Sequence, residues 1–363
     1  MSPTEPSPIR GGPLLREIRE AYQQHYRSTI EQQGRRMAIL RFTTDESGSW
    51  AARMDASRVS AEQKVRNFEA LGYEVEHVVL PDTVSPAEFG ERLDRCNEQP
   101  EMTGIIVQFP PPARLQAVVA TIDPAKDVDG LLGPERSPYP APATSEGISR
   151  LVEPFLLENP HVAVVGSAGF IGSGVMTRLQ QQGADVHGLD LGDDLTEVRH
   201  ADIVISVTGR PVLTGEHLGQ QHHLLVDSGF LPSPDGSVQG DLSPEAAHRA
   251  HYVTPVPGGM GPVEMGVLLE RLVAHDADPT LAPWRYLGPG AEHHTSLGAS
   301  APHADQPDTQ QPRRRAVSTA ANAFSRPPGL APSSSPGNPG PATPPASTHE
   351  QRRGHEDGPH RAR

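Results

Sequence analysis

The chain has 363 residues, a formal net charge of -14 and a single cysteine. Residues 281–363 contain nine arginines against six acidic residues, so the first 280 residues carry a net charge of -17. A body this acidic repels phosphate backbones and anionic lipid, which excludes nucleic acid and membrane surfaces as expected partners. The lone Cys96 excludes an internal disulfide and a cysteine-based zinc site, and no metal site is predicted from the spacing of the histidines.

The first half of the chain alternates apolar strand-like runs with segments of helical period. An opening helix is predicted from Leu14, Leu15, Ile18, Tyr22 and Tyr26, which are spaced three to four residues apart. Further strands are predicted at 37–40, 75–80 and 105–107, and further helices at 57–71, 86–96 and 115–122. This βαβαβα order predicts an α/β domain with a mostly parallel sheet.

A proline-rich passage at 134–142 separates this half from a second run of strands and helices. The predicted strands at 162–165, 184–189, 203–207 and 224–226 are typical of a Rossmann-type domain. The predicted domains are therefore 10–142 and 143–261. Residues 281–363 are rich in Pro, Ser, Gln and His and lack apolar periodicity, which predicts a disordered tail.

A glycine-rich turn follows the strand at 162–165 and opens a helix. Such a turn lets the backbone approach a pyrophosphate, which the helix N-terminus then attracts. The residues predicted to bind a dinucleotide there are Gly166, Ser167, Gly169, Phe170, Ile171 and Gly172. Asp190 ends the next strand, where a carboxylate would bind the ribose 2′-hydroxyl and repel a 2′-phosphate. NAD is therefore favoured over NADP, and a Rossmann domain without any cofactor is the structural alternative.

The chain has only two lysines, Lys64 and Lys126, against 29 arginines. Arginine supplies permanent charge, whereas an amine can lose and regain a proton, so the two exceptions are candidates for chemistry. The structural alternatives are a solvated helix face for Lys64 and a polar turn for Lys126. Gln108 follows the apolar strand at 105–107. Open α/β sheets bind ligands at this end of their strands, so Gln108 is a candidate site residue. The structural alternative is that its side chain hydrogen-bonds the following turn.

Several ordered motifs together are more specific than any one of them. They are Gly-Ile-Ile-Val-Gln-Phe-Pro (104–110), Lys-Asp-Val-Asp-Gly (126–130), the segment 201–211, Val-Asp-Ser-Gly (226–229), Gly-Asp (240–241) and the segment 251–262 that contains Pro-Val-Pro-Gly-Gly-Met-Gly-Pro. In this order, from about residue 12 to 275, they resemble the bifunctional methylenetetrahydrofolate dehydrogenase/cyclohydrolase family. The resemblance implies an N-terminal folate-binding domain, completed by a helix at 262–276, and a Rossmann NAD(P)-binding domain.

The family's chemistry implies roles for individual residues. Lys64 would work at the one-carbon centre in the hydrolytic step, Gln108 would hydrogen-bond Lys64, and Asp129 would bind the pterin ring. Lys64 is expected to be held near neutrality by burial. Further residues expected to line the substrate and cofactor sites are Ser60, Pro257, Gly258, Gly259, Thr208 and Gly209.

The implied reaction oxidises 5,10-methylenetetrahydrofolate to the methenyl form with NAD(P) and then hydrolyses it to 10-formyltetrahydrofolate. A cytoplasmic homodimer is expected. The alternatives are a specialised paralogue with one activity or an altered folate, and a catalytically degenerate binding protein.

Departures from the family pattern border the expected cleft. Ser60 stands where the family has a substrate-stacking tyrosine, and a hydroxymethyl group cannot stack on a ring. The segment 43–55 is about nine residues longer than usual and contains Trp50, which either supplies the missing aromatic face or is exposed. After Pro262, the usual Met-Thr is replaced by Val263 and Glu264.

Overall fold

The first half of the chain folds into three parallel strands with helices around them, as the alternation predicts. The computed structural model describes residues 5–219, 221–233, 235 and 237–297. The elements of this half are β1 (Ser7–Pro8), α1 (Gly11–Gln33), β2 (Arg36–Thr43), α2 (Ser49–Leu71), β3 (Glu74–Pro81), α3 (Pro86–Glu98), β4 (Met102–Val107), α4 (Gln116–Val119) and α5 (Ala143–Val152). Strands β2–β4 form a sheet in the order β3-β2-β4.

Helix α2 begins eight residues before the predicted start at residue 57, so most of the long segment 43–55 is helical. Met54 is buried, which shows that the added turns contribute to the core. The helix ends at Gly72, whose φ of +102° suits glycine at this position. The indole nitrogen of Trp50 donates to Asp82 Oδ2 at 2.7 Å, and its ring packs against the cluster around β2–β4.

In this half, one predicted helix is shorter than expected and one helix was not predicted. The predicted helix at 115–122 is reduced to α4 and a preceding single turn, in a segment whose β-branched residues disfavour longer helix. Helix α5 was missed because nine of its ten residues are buried. A helix buried on all sides lacks the polar stripe by which a sequence pattern is recognised.

The second half contains a six-stranded parallel sheet with the order β1-β11-β8-β7-β5-β6. Its elements are β5 (His161–Val165), α6 (Phe170–Gln181), β6 (Asp185–Leu189), β7 (Ile203–Ser206), β8 (His222–Asp227), β9 (Leu231–Pro232), β10 (Val238–Gln239), α7 (Pro244–Ala247), β11 (Ala250–Val253) and α8 (Met260–Asp276). The predicted Rossmann-type strands are all present. The N-terminal β1 pairs with β11 and so joins this sheet, an arrangement that no local pattern indicated.

Helix α8 packs against α1 and α5, and it also contacts α2. It therefore connects the second sheet to the first half of the chain. Within the described residues, no helix is both long and apolar enough to cross a lipid bilayer.

The prediction of disorder from residue 281 was wrong for residues 281–297. This segment forms β12 (Arg285–Tyr286) and β13 (Thr295–Ser296), and Trp284 is 1% exposed. The guanidinium of Arg150 lies 4.8 Å from the Trp284 ring centroid, and the Trp284 backbone N–H donates to Glu270 at 2.7 Å. The ring of Trp284 packs on a buried ion pair and so anchors the segment. The average composition of the segment does not reveal the effect of this single residue. The rest of the predicted tail, 298–363, lies outside the described residues.

Candidate active site

A cavity of about 590 Å³ lies where the carboxyl ends of β4 and β7 meet the first turns of α6 and α8. Twelve residues predicted from the sequence line it. They are Ser60, Lys64, Gln108, Asp129, Gly169, Phe170, Ile171, Thr208, Gly209, Pro257, Gly258 and Gly259. Four other predicted residues, Gly166, Ser167, Gly172 and Asp190, lie in the glycine loop and at the end of β6 and are not part of the cavity lining.

Lys64 is buried, with 3% of its surface exposed, so it is not part of a solvated helix face. Its Nζ donates to Glu264 Oε1 at 2.6 Å and to Ser60 Oγ at 3.1 Å. Burial opposes the charged amine, but the nearby Glu264 and Asp129 carboxylates outweigh burial and raise the pKa of Lys64. The expectation of a near-neutral amine was therefore wrong, because it did not include Glu264.

Gln108 does not hydrogen-bond Lys64, contrary to the prediction. Its Nε2 donates to the backbone carbonyl of Ser57 at 3.1 Å, about two turns before Lys64 on α2. The side chain is 4% exposed and ties the end of β4 to α2. Gln108 thus fixes the helix that carries Lys64, while Glu264 and Ser60 bind the amine itself.

Asp129 follows the loop at the carboxyl end of the first sheet. The pKa of Asp129 is raised to about 6. Burial is the main cause, the attraction of Lys64 opposes it, and the repulsion of Glu264 adds to it. Arg271 and Asp127 are the other charged groups that act on this carboxyl. Lys64, Glu264 and Asp129 therefore form a group of one cation and two carboxylates, and Arg53 and Asp227 also line the cavity.

The other lysine, Lys126, has a structural role. Its Nζ donates to the backbone carbonyls of Cys96, Asn97 and Gln99, at 3.0, 2.5 and 2.8 Å. A cation at the carboxyl end of a helix satisfies carbonyl groups that have no partner within the helix. Lys126 therefore caps α3 and is not part of the cavity.

The glycine loop between β5 and α6 has little room for side chains. Gly166 has a φ of +90°, and a Cβ atom at Gly172 would lie 2.0 Å from the Gly166 carbonyl oxygen. The first turn of α6 leaves backbone N–H groups without intrahelical partners, which suits a phosphate group. The backbone of this loop therefore fits a pyrophosphate.

Asp190 lies beside the loop and is already hydrogen-bonded to it. Its carboxylate accepts from Ser167 Oγ at 2.5 Å and from the Ala168 N–H at 2.9 Å. A carboxylate has about four lone-pair directions, so further hydrogen bonds from ribose hydroxyls are possible. Ser167 thus orients the acid that the sequence indicated.

A second loop in the cavity wall is fixed by a fully buried acid. Asp241 Oδ2 accepts from Ser206 Oγ and from the Thr208 N–H, both at 2.7 Å. It also accepts from the Gly209 N–H at 3.3 Å. These bonds hold the Thr208–Gly209 backbone at the carboxyl end of β7, opposite the glycine loop.

The cavity has an aromatic face, but Trp50 does not provide it. The rings of Phe109 and Phe170 are stacked, with centroids 4.9 Å apart and an interplanar angle of 9°. Phe109 follows β4 and is 42% exposed, whereas Phe170 begins α6, so the pair spans the cleft between the two halves. Both residues lay within motifs noted from the sequence, but only the fold brings their rings together.

The two halves of the chain match the two domains of one family. Residues 9–129 match the profile of the tetrahydrofolate dehydrogenase/cyclohydrolase catalytic domain, and residues 142–278 match that of its NAD(P)-binding domain. The chain belongs to this family.

Relatives and solved structures agree with this assignment. A bifunctional protein FolD of Lactobacillus acidophilus is 32% identical over 231 residues, covering 60% of this chain and 81% of the relative. The FolD of Trypanosoma brucei, solved with NADP and an inhibitor, has a TM-score of 0.64 at 27% identity, covering 77% of this chain and 100% of that chain. An NAD-dependent methylenetetrahydrofolate dehydrogenase of Saccharomyces cerevisiae shares the fold, with a TM-score of 0.56 at 14% identity, covering 75% of this chain and 97% of that chain.

The predicted fold class and family are thereby confirmed, and so is the enzyme class. The protein is a tetrahydrofolate dehydrogenase/cyclohydrolase with an NAD(P)-binding domain, and neither of the alternatives from the sequence is favoured. Glu264, which lines the cavity and binds Lys64, is the residue that the sequence did not assign to the site. Its signal was the departure from the usual Met-Thr after Pro262, which placed a carboxylate at the cleft.

Proposed function

We propose that this enzyme uses NAD to oxidise 5,10-methylenetetrahydrofolate and then hydrolyses the methenyl product to 10-formyltetrahydrofolate. The observation that carries the proposal is the buried group of Lys64, Glu264 and Asp129 in one cavity with the loops that fit a dinucleotide. When bound, the dinucleotide accepts the hydride. The remaining steps depend on side chains of this chain.

The substrate half of the cavity suits a pterin and a cationic one-carbon centre. An ionised Asp129 can accept hydrogen bonds from the amino and ring N–H groups of a pterin. Ser60 stands where the family has a stacking tyrosine. The half-exposed ring of Phe109, at the mouth of the cavity, offers an alternative apolar face on which a pterin can stack. The two carboxylates favour a positive charge that develops on the substrate. Pro257, Gly258 and Gly259 complete this wall.

The choice of NAD rests on Asp190. Its carboxylate is fixed beside the glycine loop, where it would accept hydrogen bonds from ribose hydroxyls and oppose a 2′-phosphate by like-charge repulsion. Residues proposed to hold the dinucleotide are Gly166, Ser167, Gly169, Phe170, Ile171, Gly172, Asp190, Thr208 and Gly209. A homodimer in the cytoplasm stays a prediction from the family resemblance.

Absorbance spectroscopy of the methenyl product tests this proposal directly. The full-length protein is mixed with methylenetetrahydrofolate and either NAD or NADP, and formation and decay of methenyltetrahydrofolate are followed. We expect formation with a higher kcat/KM for NAD, followed by enzyme-dependent decay. Absence of methenyl formation with both dinucleotides would contradict the proposed oxidation. Faster formation with NADP would contradict the choice of NAD.

A further inference from the structure

The ion pair between Lys64 and Glu264 changes which group can remove a proton from water. The two side chains are 4% and 17% exposed, and their charged atoms are 2.6 Å apart. An ammonium has three donors and no lone pair, so a paired Lys64 can donate a proton but cannot accept one. A general base in this cavity must therefore be another group.

Glu264 has the position and the chemistry for that task. It lies in the first two turns of α8 and lines the cavity together with Lys64 and Asp129. Its Oε1 is bound to Lys64, and Oε2 has no hydrogen-bond partner among the residues that the structure describes. One oxygen is thus fixed by the lysine, and the other is available to a water molecule.

We propose that Glu264 is the general base of the hydrolytic step and that Lys64 acts as its ammonium partner and as the general acid. This inference deepens the proposed function and depends on it. Lys64 holds the Glu264 carboxylate in place, and Ser60 supports Lys64 through the 3.1 Å hydrogen bond. The serine that replaces an aromatic residue therefore becomes part of the proton-transfer group.

The proposed step conserves atoms and charge. The oxygen of water bonds to the methenyl carbon while one water proton passes to Glu264. The second proton passes from the resulting hydroxyl group to solvent water as the formyl C=O bond forms. The bond from that carbon to N5 breaks, and N5 takes a proton from the Lys64 ammonium. Glu264 then returns its proton to Lys64, so the net products are 10-formyltetrahydrofolate and one proton.

Hydrolysis of methenyltetrahydrofolate can be measured without any dinucleotide. The decay of its absorbance, after subtraction of the uncatalysed rate, is compared for the full-length wild type, Glu264→Gln and Glu264→Asp. The matched control is Glu62→Gln, because Glu62 is a half-exposed acid on α2 that pairs with Arg58. Removing a general base costs about 10²–10⁴-fold. We expect a loss of this size for Glu264→Gln, partial activity for Glu264→Asp and no change for Glu62→Gln.

A pH profile tests the electrostatic coupling between Glu264 and Asp129 on which this arrangement depends. Glu264, Lys64, Arg271 and Asp127 are the charged groups that act on Asp129. Glu264 raises the pKa of Asp129, so Glu264→Gln lowers it. If Asp129 binds the pterin in its ionised form as proposed, folate binding weakens as the pH falls through about 6 in the wild type. In Glu264→Gln, this weakening should move to lower pH.

Two outcomes would overturn the proposal. If Glu264→Gln hydrolyses as fast as the wild type, Glu264 is not the base. If the variant is faster, Glu264 restrains a lysine that is itself the base, since the buried amine would lose its principal partner. Methenyl formation in the same variant is measured separately: its retention shows a folded site, whereas its absence in the wild type would contradict the proposed function and not the role of Glu264 alone.

Discussion

The two walls of the cleft hold their acidic side chains in different ways. On the substrate wall, Glu264 and Asp129 surround the buried ammonium of Lys64. On the dinucleotide wall, Asp190 is half-buried and accepts hydrogen bonds from neutral donors, the hydroxyl of Ser167 and the backbone of Ala168. The first arrangement is a set of coupled charges, and the second is one charge held by a loop.

This difference predicts how each wall responds to substitution. Removing one partner of a buried ion pair leaves an uncompensated charge and typically costs about 3–5 kcal/mol. A partly exposed charge is screened by solvent, so the loss of its interactions costs about 1 kcal/mol or less. Substitutions on the substrate wall should therefore have large effects on chemistry, and those at Asp190 should mainly change selectivity.

The largest effect is expected for Lys64→Gln. Loss of the ammonium removes the proposed general acid and leaves two carboxylates unpaired, so hydrolysis should fall about 10²–10⁴-fold. The measurement is the decay of methenyltetrahydrofolate per folded molecule, with the folded fraction taken from circular dichroism. Lys126→Gln is the matched control, because Lys126 caps α3 and lies outside the cavity. Unchanged hydrolysis in Lys64→Gln would refute the assigned role.

A smaller effect is expected for Phe109→Ala. Aromatic pairs contribute about 0.5–1.5 kcal/mol beyond their buried area, so the Kd for tetrahydrofolate should rise about 2–12-fold. Equilibrium binding without dinucleotide measures this directly. Phe109→Leu keeps an apolar side chain without a ring and should recover little of the loss. Equal affinity of wild type and Phe109→Ala would show that the pterin stacks elsewhere.

An effect of similar size, confined to the choice of dinucleotide, is expected for Asp190→Ala, which leaves the substrate wall intact. Removing the carboxylate abolishes its repulsion of a 2′-phosphate, so the ratio of kcat/KM for NAD to that for NADP should fall about 5-fold for an interaction of about 1 kcal/mol. The exposed Asp185 on the same strand provides the control Asp185→Asn, which should keep the wild-type ratio. The same ratio in Asp190→Ala and the wild type would remove the argument for NAD.

Much of the architecture was determined by local sequence patterns. Apolar runs of strand length alternate with helical periods, so the parallel sheets and the glycine loop at 166–172 could be predicted. Asp190 was found for the same reason, because its place at a strand end is a local feature. Features that depend only on residues close in sequence, such as the strands, the glycine loop and Asp190, were therefore predictable.

Only the tertiary structure decided the charge state of the site. Lys64 and Glu264 are 200 residues apart in the chain, and the fold brings their charged atoms within 2.6 Å. The sequence predicted a neutral amine because burial alone favours it, whereas the charge that the fold places beside it has the opposite effect. Trp284 shows the same limit, since its burial depends on Arg150 in a distant helix. A residue's ionisation and burial are set by what surrounds it in space, which one-dimensional spacing does not contain.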